Sequence, residues 1–330
     1  MKLRTEIIPP ASQWQLTHQD RILSTGSCFA ENISMLMNQN GFDVLQNPHG
    51  ILFNPMSIAM GLGDILLRRE YKSEDLIIYN GRYISLRHHG LFSSTGEEAT
   101  LRRINEKIQT AHTFLLSAHT LIITWGTAFV YEYLPYGSIV ANCHKIPQEF
   151  FTKRMLSCEE IVEKYRSLLA TIFAQNSQIH LLFTLSPVRH WKDGATQNLV
   201  SKSTLRMSIH QLETEFDQVS YFPAYEIMMD DLRDYRFYKE DMIHLTDQAV
   251  SYIWQKFIEA FFNEKTKLIC RELSQLRQLI HHRPIHAEGA EYDHYLITLE
   301  QKILEIKKKY PFLQEWRYIK PGNRLKEGEN

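Results

Sequence analysis

Short strand-like runs alternate with longer stretches of helical periodicity along the first 262 residues. The runs typical of strands lie at 21–25, 43–45, 121–125, 180–185 and 219–222. Apolar residues recur at helical spacing within 29–37, 55–67, 97–119, 158–174, 199–216 and 247–262. Strands separated by helices form a mainly parallel sheet covered on both faces. The sequence therefore predicts a three-layer α/β/α sandwich, with residues 71–94 as a mixed, loop-like stretch.

The tail has a different pattern. Apolar residues recur three or four positions apart in two stretches: Ile269, Leu273, Leu276 and Ile280, then Leu296, Leu299, Ile303 and Ile306. A break with Pro284 and Gly289 separates them. One apolar seam per helix predicts a C-terminal helical hairpin. We expect a domain over 1–263 and a hairpin extension over 264–330 that offers a surface for self-association.

Composition and charge narrow the class of protein. Of 330 residues, 44% are apolar and 23% charged, as in a globular enzyme. The net charge of −1 excludes the marked basic excess of a dedicated nucleic-acid binder. The charged start followed by Pro9 and Pro10 is unlike a signal peptide, and no apolar run reaches the roughly 20 residues that span a bilayer. We expect a cytoplasmic protein without a membrane partner, whose four cysteines are free thiols.

Polar residues follow several of the predicted strands. They lie at Gly26-Ser27-Cys28, at Gly126-Thr127, at 186–190 and before His244. Ligands of open parallel sheets collect beyond the carboxyl ends of the strands. These segments are therefore predicted to converge on one edge.

Cys28 lies where a strand turns into a helix. The free N–H groups and the helix dipole there are expected to stabilise a thiolate and to hold an oxyanion. The alternative is that Cys28 is a small buried residue that packs the first helix. Ser27 is a rival nucleophile, since a serine hydroxyl also reacts once a base lies within hydrogen-bond distance.

Asp241 and His244 place a carboxylate three residues from an imidazole. The acid can orient the ring and leave its other nitrogen free as a base. Thr246 or Asp247 resembles the cap of the next helix, which predicts a loop position for His244. Such spacing also arises by chance.

Several motifs together resemble one family. Gly26-Ser27-Cys28-Phe29-Ala30 is the signature that names the GSCFA family, and further matching stretches follow in order: 47–55 (NPHGILFNP), 88–90 (HHG), 142–145 (NCHK), 186–190 (SPVRH) and 233–238 (RDYRFY), which leads into Asp241 and His244. The resemblance covers roughly residues 1 to 263 and leaves the tail outside.

The GSCFA family looks like a branch of the SGNH hydrolases, whose pattern begins with Gly-Asp-Ser and ends with Asp-x-x-His. The resemblance places Cys28 on the nucleophile and implies a triad with His244 and Asp241. It places Gly50 on an oxyanion glycine. In the Gly-x-Asn-Asp block, which falls on 126–129, Ala128 replaces the oxyanion Asn; Asn54 or Asn142 is a candidate substitute.

The remaining polar residues suggest binding roles. Arg189 and His190 follow a strand and suit an anionic group, or Arg189 forms a structural ion pair. Tyr235, Phe237 and Tyr238 form either a stacking wall for a sugar or part of the core. His88, His89, Asn142, Cys143, His144 and His190 lack zinc-site spacing, so we expect no metal and no cofactor. We assign substrate binding to Gly50, Asn54, Gly126, Asn142, His144, Arg189 and His190.

The sequence is compatible with two functions. The first is an SGNH-like esterase or acyltransferase that acts on an acylated small molecule or carbohydrate through Cys28 or Ser27, His244 and Asp241. The second is a non-catalytic binding or scaffold protein on a degenerate fold of the same type, which Ala128 and the hairpin favour.

Overall fold

The computed structural model describes residues 4–281 and 289–313. Its strands are β1 (Arg21–Gly26), β2 (Asp43–Gln46), β3 (Ile77–Tyr79), β4 (Arg82–Ile84), β5 (Thr120–Trp125), β6 (Phe129–Tyr133), β7 (Ser138–Val140), β8 (Phe151–Met155), β9 (His180–Leu185) and β10 (Val219–Phe222). Its helices are α1 (Cys28–Gln39), α2 (Pro55–Leu66), α3 (Glu97–Leu116), α4 (Cys158–Gln175), α5 (Gly194–Glu215), α6 (Ala224–Glu226), α7 (Asp247–Phe261), α8 (Glu264–His281) and α9 (Ala290–Lys309).

Five strands form the central sheet in the order β10-β9-β5-β1-β2, and every neighbouring pair is parallel. The predicted fold class is confirmed. Numbered along the chain, these strands read 2-1-3-4-5 from the β2 edge, so the direction of winding reverses between β1 and β5. Ligands of such sheets bind beyond the carboxyl ends of the strands at this reversal. We therefore expect the ligand site of this fold at the carboxyl ends of β1 and β5.

Alternating side chains of the sheet build two cores. Leu23, Leu121 and Phe183 face a cluster that includes α2, α4 and α5. Ile22 and Leu182 face the opposite cluster, which includes α1 and α7. Because these strands are buried on both faces, they appear in the sequence as nearly continuous apolar runs.

Small antiparallel sheets flank the sandwich and were not predicted. β3 pairs with β4, and β6 lies between β7 and β8. The loop-like prediction for 71–94 is therefore wrong over β3 and β4. These strands have three to five residues and are only partly buried, so their apolar pattern is weak. Helix α5 also begins at Gly194, five residues before its predicted start at Leu199.

Helices α8 and α9 form the predicted antiparallel pair. The Tyr295 hydroxyl donates to the Leu279 carbonyl, and Lys309 pairs with Glu272 at the other end. Both predicted seams contribute to the buried contact. Arg277 donates to backbone and side-chain oxygens at the end of α1. Residues 282–288, with the predicted break at Pro284, lie outside the described residues, and the domain boundary at 263/264 stays a prediction.

Among the helices within 4–281 and 289–313, none combines the length and apolar character needed to cross a membrane.

Candidate active site at the carboxyl edge of the sheet

The corner between β1 and α1 requires glycine. Gly26 has φ of +141°, and a Cβ there would lie 2.2 Å from the Thr124 carbonyl oxygen of β5. Its N–H donates to Asn47 Oδ1 over 2.9 Å. Only a residue without a side chain permits this approach between the ends of β1 and β5.

Ser27 and Cys28 have different environments at this corner. Ser27 is the N-cap of α1: its side chain is buried and its Oγ accepts from the Phe29 N–H over 3.3 Å. Cys28 is the first residue of the helix and remains partly exposed. The Ser27 hydroxyl therefore caps the helix, whereas Cys28 keeps part of its surface exposed.

The expected stabilisation of the Cys28 thiolate is opposed by burial. Loss of water around the sulfur is the largest influence and raises the pKa of Cys28 above its ordinary value. The N–H groups of Phe29 and Cys28 act in the opposite direction and lower the pKa, as does Lys202. The prediction of a thiolate favoured by the helix start is thus wrong in its net sign, because desolvation exceeds the helix contribution.

Lys202 is a buried amine close to Cys28. Its side chain is 2% exposed, and Nζ donates to the Ser186 carbonyl at the end of β9 over 2.6 Å. No carboxylate lies within ion-pair distance of Nζ among residues 4–281 and 289–313. Burial lowers the pKa of Lys202 to about 7, and Cys28 acts to raise it. The amine and the thiol therefore each favour the charged form of the other.

The segment between β2 and α2 crosses the ends of β1 and β5. The Leu52 N–H donates to the Gly26 carbonyl over 3.0 Å. The Phe53 carbonyl accepts from the Gly126 N–H over 2.7 Å and from the Thr127 N–H over 3.1 Å. These bonds fix residue 54, the next in the chain, near the corner.

Asn54 and Gly50 form local hydrogen bonds that stabilise this segment. Asn54 is the N-cap of α2: Oδ1 accepts from the Ser57 N–H over 2.8 Å, and the side chain is largely buried. Gly50 has φ of +77° and donates its N–H to the Asn47 carbonyl over 2.7 Å. The Gly50 N–H is therefore engaged within the turn, whereas the Asn54 Nδ2 makes no hydrogen bond within the described ranges.

His190 lies against Gly126, the glycine that follows β5. Its Nε2 is 3.2 Å from the place that a Cβ on Gly126 would take, and its ring meets Phe53 edge-on at 5.6 Å. Burial, followed by the charge of Lys202, lowers the pKa of His190 to about 4. The ring is thus neutral at pH 7.

Ala128 belongs to the core rather than to an open edge. It is fully buried, and its N–H donates to Ser201 Oγ over 2.8 Å. Ser201 Oγ also lies 3.2 Å from Thr127 Oγ1. The block that holds the oxyanion Asn in the related pattern is therefore packed here against α5.

Asp241 and His244 form a hydrogen-bonded pair in an exposed loop. Asp241 Oδ2 lies 2.6 Å from His244 Nδ1, and Oδ1 accepts from the N–H groups of Ile243 and His244 over 2.9 Å each. The His244 hydrogen bonds and then the Ile243 N–H lower the pKa of Asp241 to about 2. Thr246, one of the two predicted capping residues, is the N-cap of α7. The pair leaves His244 Nε2 directed away from the acid.

Helices α1 and α7 lie side by side on one face of the sheet and run in the same direction. They share one apolar cluster through residues such as Phe29 of α1 and Ala249 of α7. Just beyond the carboxyl ends of the two helices, the Phe42 and Phe262 rings are 5.0 Å apart. The two helices have similar lengths, 12 residues in α1 and 15 in α7, and their carboxyl ends are close together. Their amino ends, which carry Cys28 and the His244 loop, therefore face the same edge of the sheet.

A model of the GSCFA family matches residues 21–257, more than two thirds of the chain. The chain belongs to the GSCFA family. No curated protein matches it. It is similar to a family 3 carbohydrate esterase from Clostridium thermocellum, at 11% identity over 77% of this chain and 98% of that one, with a TM-score of 0.36. It is also similar to a family 3 carbohydrate esterase from Talaromyces cellulolyticus, at 8% identity over 76% and 98%, with a TM-score of 0.37.

In this GSCFA chain, Asn142 and His144 form hydrogen bonds in a loop close to Ser85. Asn142 Oδ1 accepts from the His144 N–H over 2.8 Å, and His144 Nε2 lies 2.8 Å from the Ser85 carbonyl. His49 and His88 stack at 4.7 Å beside this loop. Burial lowers the pKa of His49 to about 3 and that of His88 well below its ordinary value. No three metal-binding side chains gather anywhere in 4–281 or 289–313.

Lys202 is the site residue of this GSCFA chain that sequence reasoning missed. It belongs to α5, whose buried positions include polar residues beside the apolar ones: Asn198, Ser201, Lys202 and Ser208. An amphipathic reading assigns polar residues to solvent. The sequence does contain one indication that Lys202 is buried. The spacing of these polar residues places them on the same side of the helix as Leu205 and Ile209.

Proposed function

We propose that the protein is an esterase or acyltransferase in which Cys28 is the nucleophile, His244 the general base and Asp241 the residue that orients His244. The proposal is supported chiefly by the Asp241–His244 hydrogen bond of 2.6 Å on the same edge as the amino end of α1. An acid, an imidazole and a nucleophile at the reversal point of a parallel sheet suit acyl transfer.

The raised pKa of Cys28 makes a base necessary. A thiol that burial keeps protonated near neutral pH does not attack an ester until its proton is removed. In the proposed first step, His244 Nε2 takes that proton, and the sulfur bonds to the acyl carbon. The carbon–oxygen bond to the alcohol then breaks, and His244 returns the proton to the leaving oxygen. The products are a thioester on Cys28 and the free alcohol.

The second step decides between hydrolysis and transfer. A water molecule, or the hydroxyl of an acceptor, gives its proton to His244 and attacks the thioester carbon. The carbon–sulfur bond breaks, and the proton returns to the Cys28 sulfur. The released product is a carboxylic acid in the first case and a new ester in the second.

Donors for the oxyanion are available beside the nucleophile. The Cys28 N–H lies at the amino end of α1, where helical N–H groups lack helical partners. The side-chain NH₂ of Asn54 is the favoured replacement for the Asn that Ala128 displaces, because its Oδ1 is already bound to the Ser57 N–H. Asn142 is the weaker candidate, since its side chain holds the His144 turn.

Lys202 completes the electrostatic arrangement. Its charge lowers the pKa of Cys28 and opposes protonation of His190. A cation at this position stabilises the thiolate during attack and the negative charge of the tetrahedral intermediate. Electrostatic groups fixed in a site from which water is excluded are especially effective.

Intact-mass spectrometry after exposure to 4-nitrophenyl acetate tests the proposal. The wild type is expected to gain one acetyl group, Cys28→Ala to gain none, and Ser27→Ala to keep the label despite the loss of its helix cap. Cys158→Ala is the matched control, since Cys158 also follows a serine N-cap as the first residue of a helix. His244→Ala should slow acetylation by about 10²–10⁴-fold. A label that survives Cys28→Ala contradicts the assignment.

Binding without catalysis is the second candidate. Ala128 is packed in the core and burial raises the pKa of Cys28, as a site that no longer reacts would allow. Absence of any acetylation and of hydrolysis across a panel of short-chain esters and acetylated sugars would favour this function.

A further inference from the structure

A cavity of about 180 Å³ opens between the loop after β9 and the segment that follows β10. Two arginines, two tyrosines and two methionines contribute to its lining: Arg189, Arg233, Tyr235, Tyr238, Met228 and Met229. The methionines lie in a π-helical turn, Ile227–Asp231, closed by a bond from the Leu232 N–H to the Ile227 carbonyl over 2.9 Å. Such turns recur at functional sites.

Arg189 brings an unneutralised charge to this cavity. Its guanidinium lies 4.6 Å from the centre of the Trp191 ring and 5.3 Å from that of Tyr238. Its Nε is buried and has no hydrogen-bond partner in the described part of the chain. No carboxylate of that part lies within 4 Å of it. A partly buried cation without an anion is costly, and a bound anion relieves that cost.

The other charged residues leave the cavity positive. Arg233 is exposed and forms no ion pair with any carboxylate in 4–281 or 289–313. Asp234, the acid beside it, accepts from the Arg236 N–H over 2.8 Å and pairs with the Arg236 guanidinium at 3.0 Å. Its charge is therefore engaged, and both lining arginines are available for a ligand.

Partly exposed aromatic rings adjoin these charges. Tyr235 is 70% exposed, although large aromatic side chains usually bury most of their surface, and Trp191, whose ring packs against Arg189, is 38% exposed. A flat ring beside an arginine suits a ligand that has one apolar face and one anionic group. A sugar that carries a carboxylate or a phosphate has both features.

The cavity adjoins the proposed catalytic loop. Tyr238 in its wall pairs across an antiparallel bridge with Leu245, and the Lys239 N–H donates to the His244 carbonyl over 2.7 Å. On the other side, Arg189 precedes His190, which lies against Gly126 at the end of β5. A ligand in the cavity is thus placed between the two segments that flank the site.

We propose that this cavity binds an anionic group, carboxylate or phosphate, on the sugar part of an acylated carbohydrate. This inference rests on the proposed esterase function for its catalytic consequence, but binding at Arg189 stands independently of the reaction. It narrows the expected substrate from an acylated small molecule or carbohydrate to an acylated sugar that carries a carboxylate or a phosphate.

Calorimetric titration tests the binding. Glucuronate, glucose 6-phosphate and glucose are each titrated at fixed ionic strength into wild type and Cys28→Ala. At least one anion should bind about 10-fold or more tightly than glucose, and which anion binds distinguishes carboxylate from phosphate. Arg189→Gln should lose that preference, whereas Arg166→Gln, which removes an exposed arginine paired with Glu215, should retain it. Equal binding of all three ligands, or an unchanged preference in Arg189→Gln, overturns the proposal.

Kinetics with a neutral and an anionic ester of one shape test the catalytic consequence. For wild type, 3-acetoxybenzoate should have a KM about 10-fold below that of 3-acetoxybenzamide, and Arg189→Gln should raise only the former. Arg189→Lys, which keeps the charge without the planar fork, should give an intermediate KM and show that the effect is not loss of folding. Anion binding without ester cleavage would refute the proposed esterase function but support the anion-binding cavity. Ester cleavage without a preference for the anionic ester would refute the anion-binding cavity alone.

Discussion

Lys202 carries an amine into a part of the protein from which water is excluded, and its removal has a calculable effect on stability. Its pKa in the folded chain is about 7, against an ordinary value of 10.5. Between these two values the unfolded chain binds a proton that the folded chain does not. The free energy of unfolding is therefore expected to rise with pH across this window. Lys202→Met should remove that rise.

The pKa difference sets the size of the effect. Burial of the charged amine costs about 4 kcal/mol at pH 7 and about 2 kcal/mol at pH 9, given the folded pKa of about 7. Loss of the Nζ hydrogen bond leaves the Ser186 carbonyl without that partner, at a cost of about 1–2 kcal/mol. Lys202→Met should then be about 2–3 kcal/mol more stable than wild type at pH 7, and nearly equal to it at pH 9.

Urea denaturation followed by circular dichroism at pH 7, 8 and 9 measures this difference. Lys256→Met is the control: Lys256 is also buried, but it pairs with Glu6 and Glu259, and its pKa is raised. Its stabilising contribution is complete below pH 10.5, so the difference from wild type should stay constant over this range. A constant difference for Lys202→Met as well would refute the reasoning.

Three further predictions concern the corner, the core and the catalytic loop. Gly26→Ala should lower the free energy of unfolding by more than about 2 kcal/mol because of the strained φ and the clash. Gly63→Ala, in an open helical position, should raise it by about 0.5–1 kcal/mol. Urea denaturation compares the two variants, and equal effects would contradict the strain assigned to Gly26. Tyr165→Phe should cost about 2–4 kcal/mol, because the Tyr165 hydroxyl joins two buried polar groups of the core; an unchanged unfolding midpoint would argue against it. Asp241→Asn should lower kcat by about 10³–10⁴-fold without loss of folding. Since the pKa of Asp241 is about 2, any acid limb of wild-type activity above pH 4 should belong to another group, which the pH–rate profile checks.

The parts of the fold that the sequence predicts are those whose burial is uniform. β5 is buried at every position and β9 at all but its first, so both are visible as apolar runs bounded by turn residues. β6 and β8 are partly buried on both faces and alternate weakly, and they became recognisable only through their pairing. Short strands in flanking sheets depend on neighbours that are distant in sequence.

In the candidate site too, the local features could be predicted from the sequence, and those that depend on packing could not. The Asp241–His244 hydrogen bond follows from a three-residue spacing within one loop and is therefore a local property. The sign of the Cys28 pKa shift depends on how much water the surrounding elements exclude, which no neighbouring residue reveals. Lys202 lies 174 positions after Cys28, and only the packing of α5 beside the sheet brings the amine and the thiol together.

The hydrogen bonds of Leu52 and Phe53 across the ends of β1 and β5 restrict how a molecule can enter. Three backbone groups that would otherwise face outward there, the Gly26 carbonyl and the N–H groups of Gly126 and Thr127, are already satisfied. A molecule that approaches from directly above these strands therefore meets the chain at Leu52 and Phe53 before it reaches these three groups.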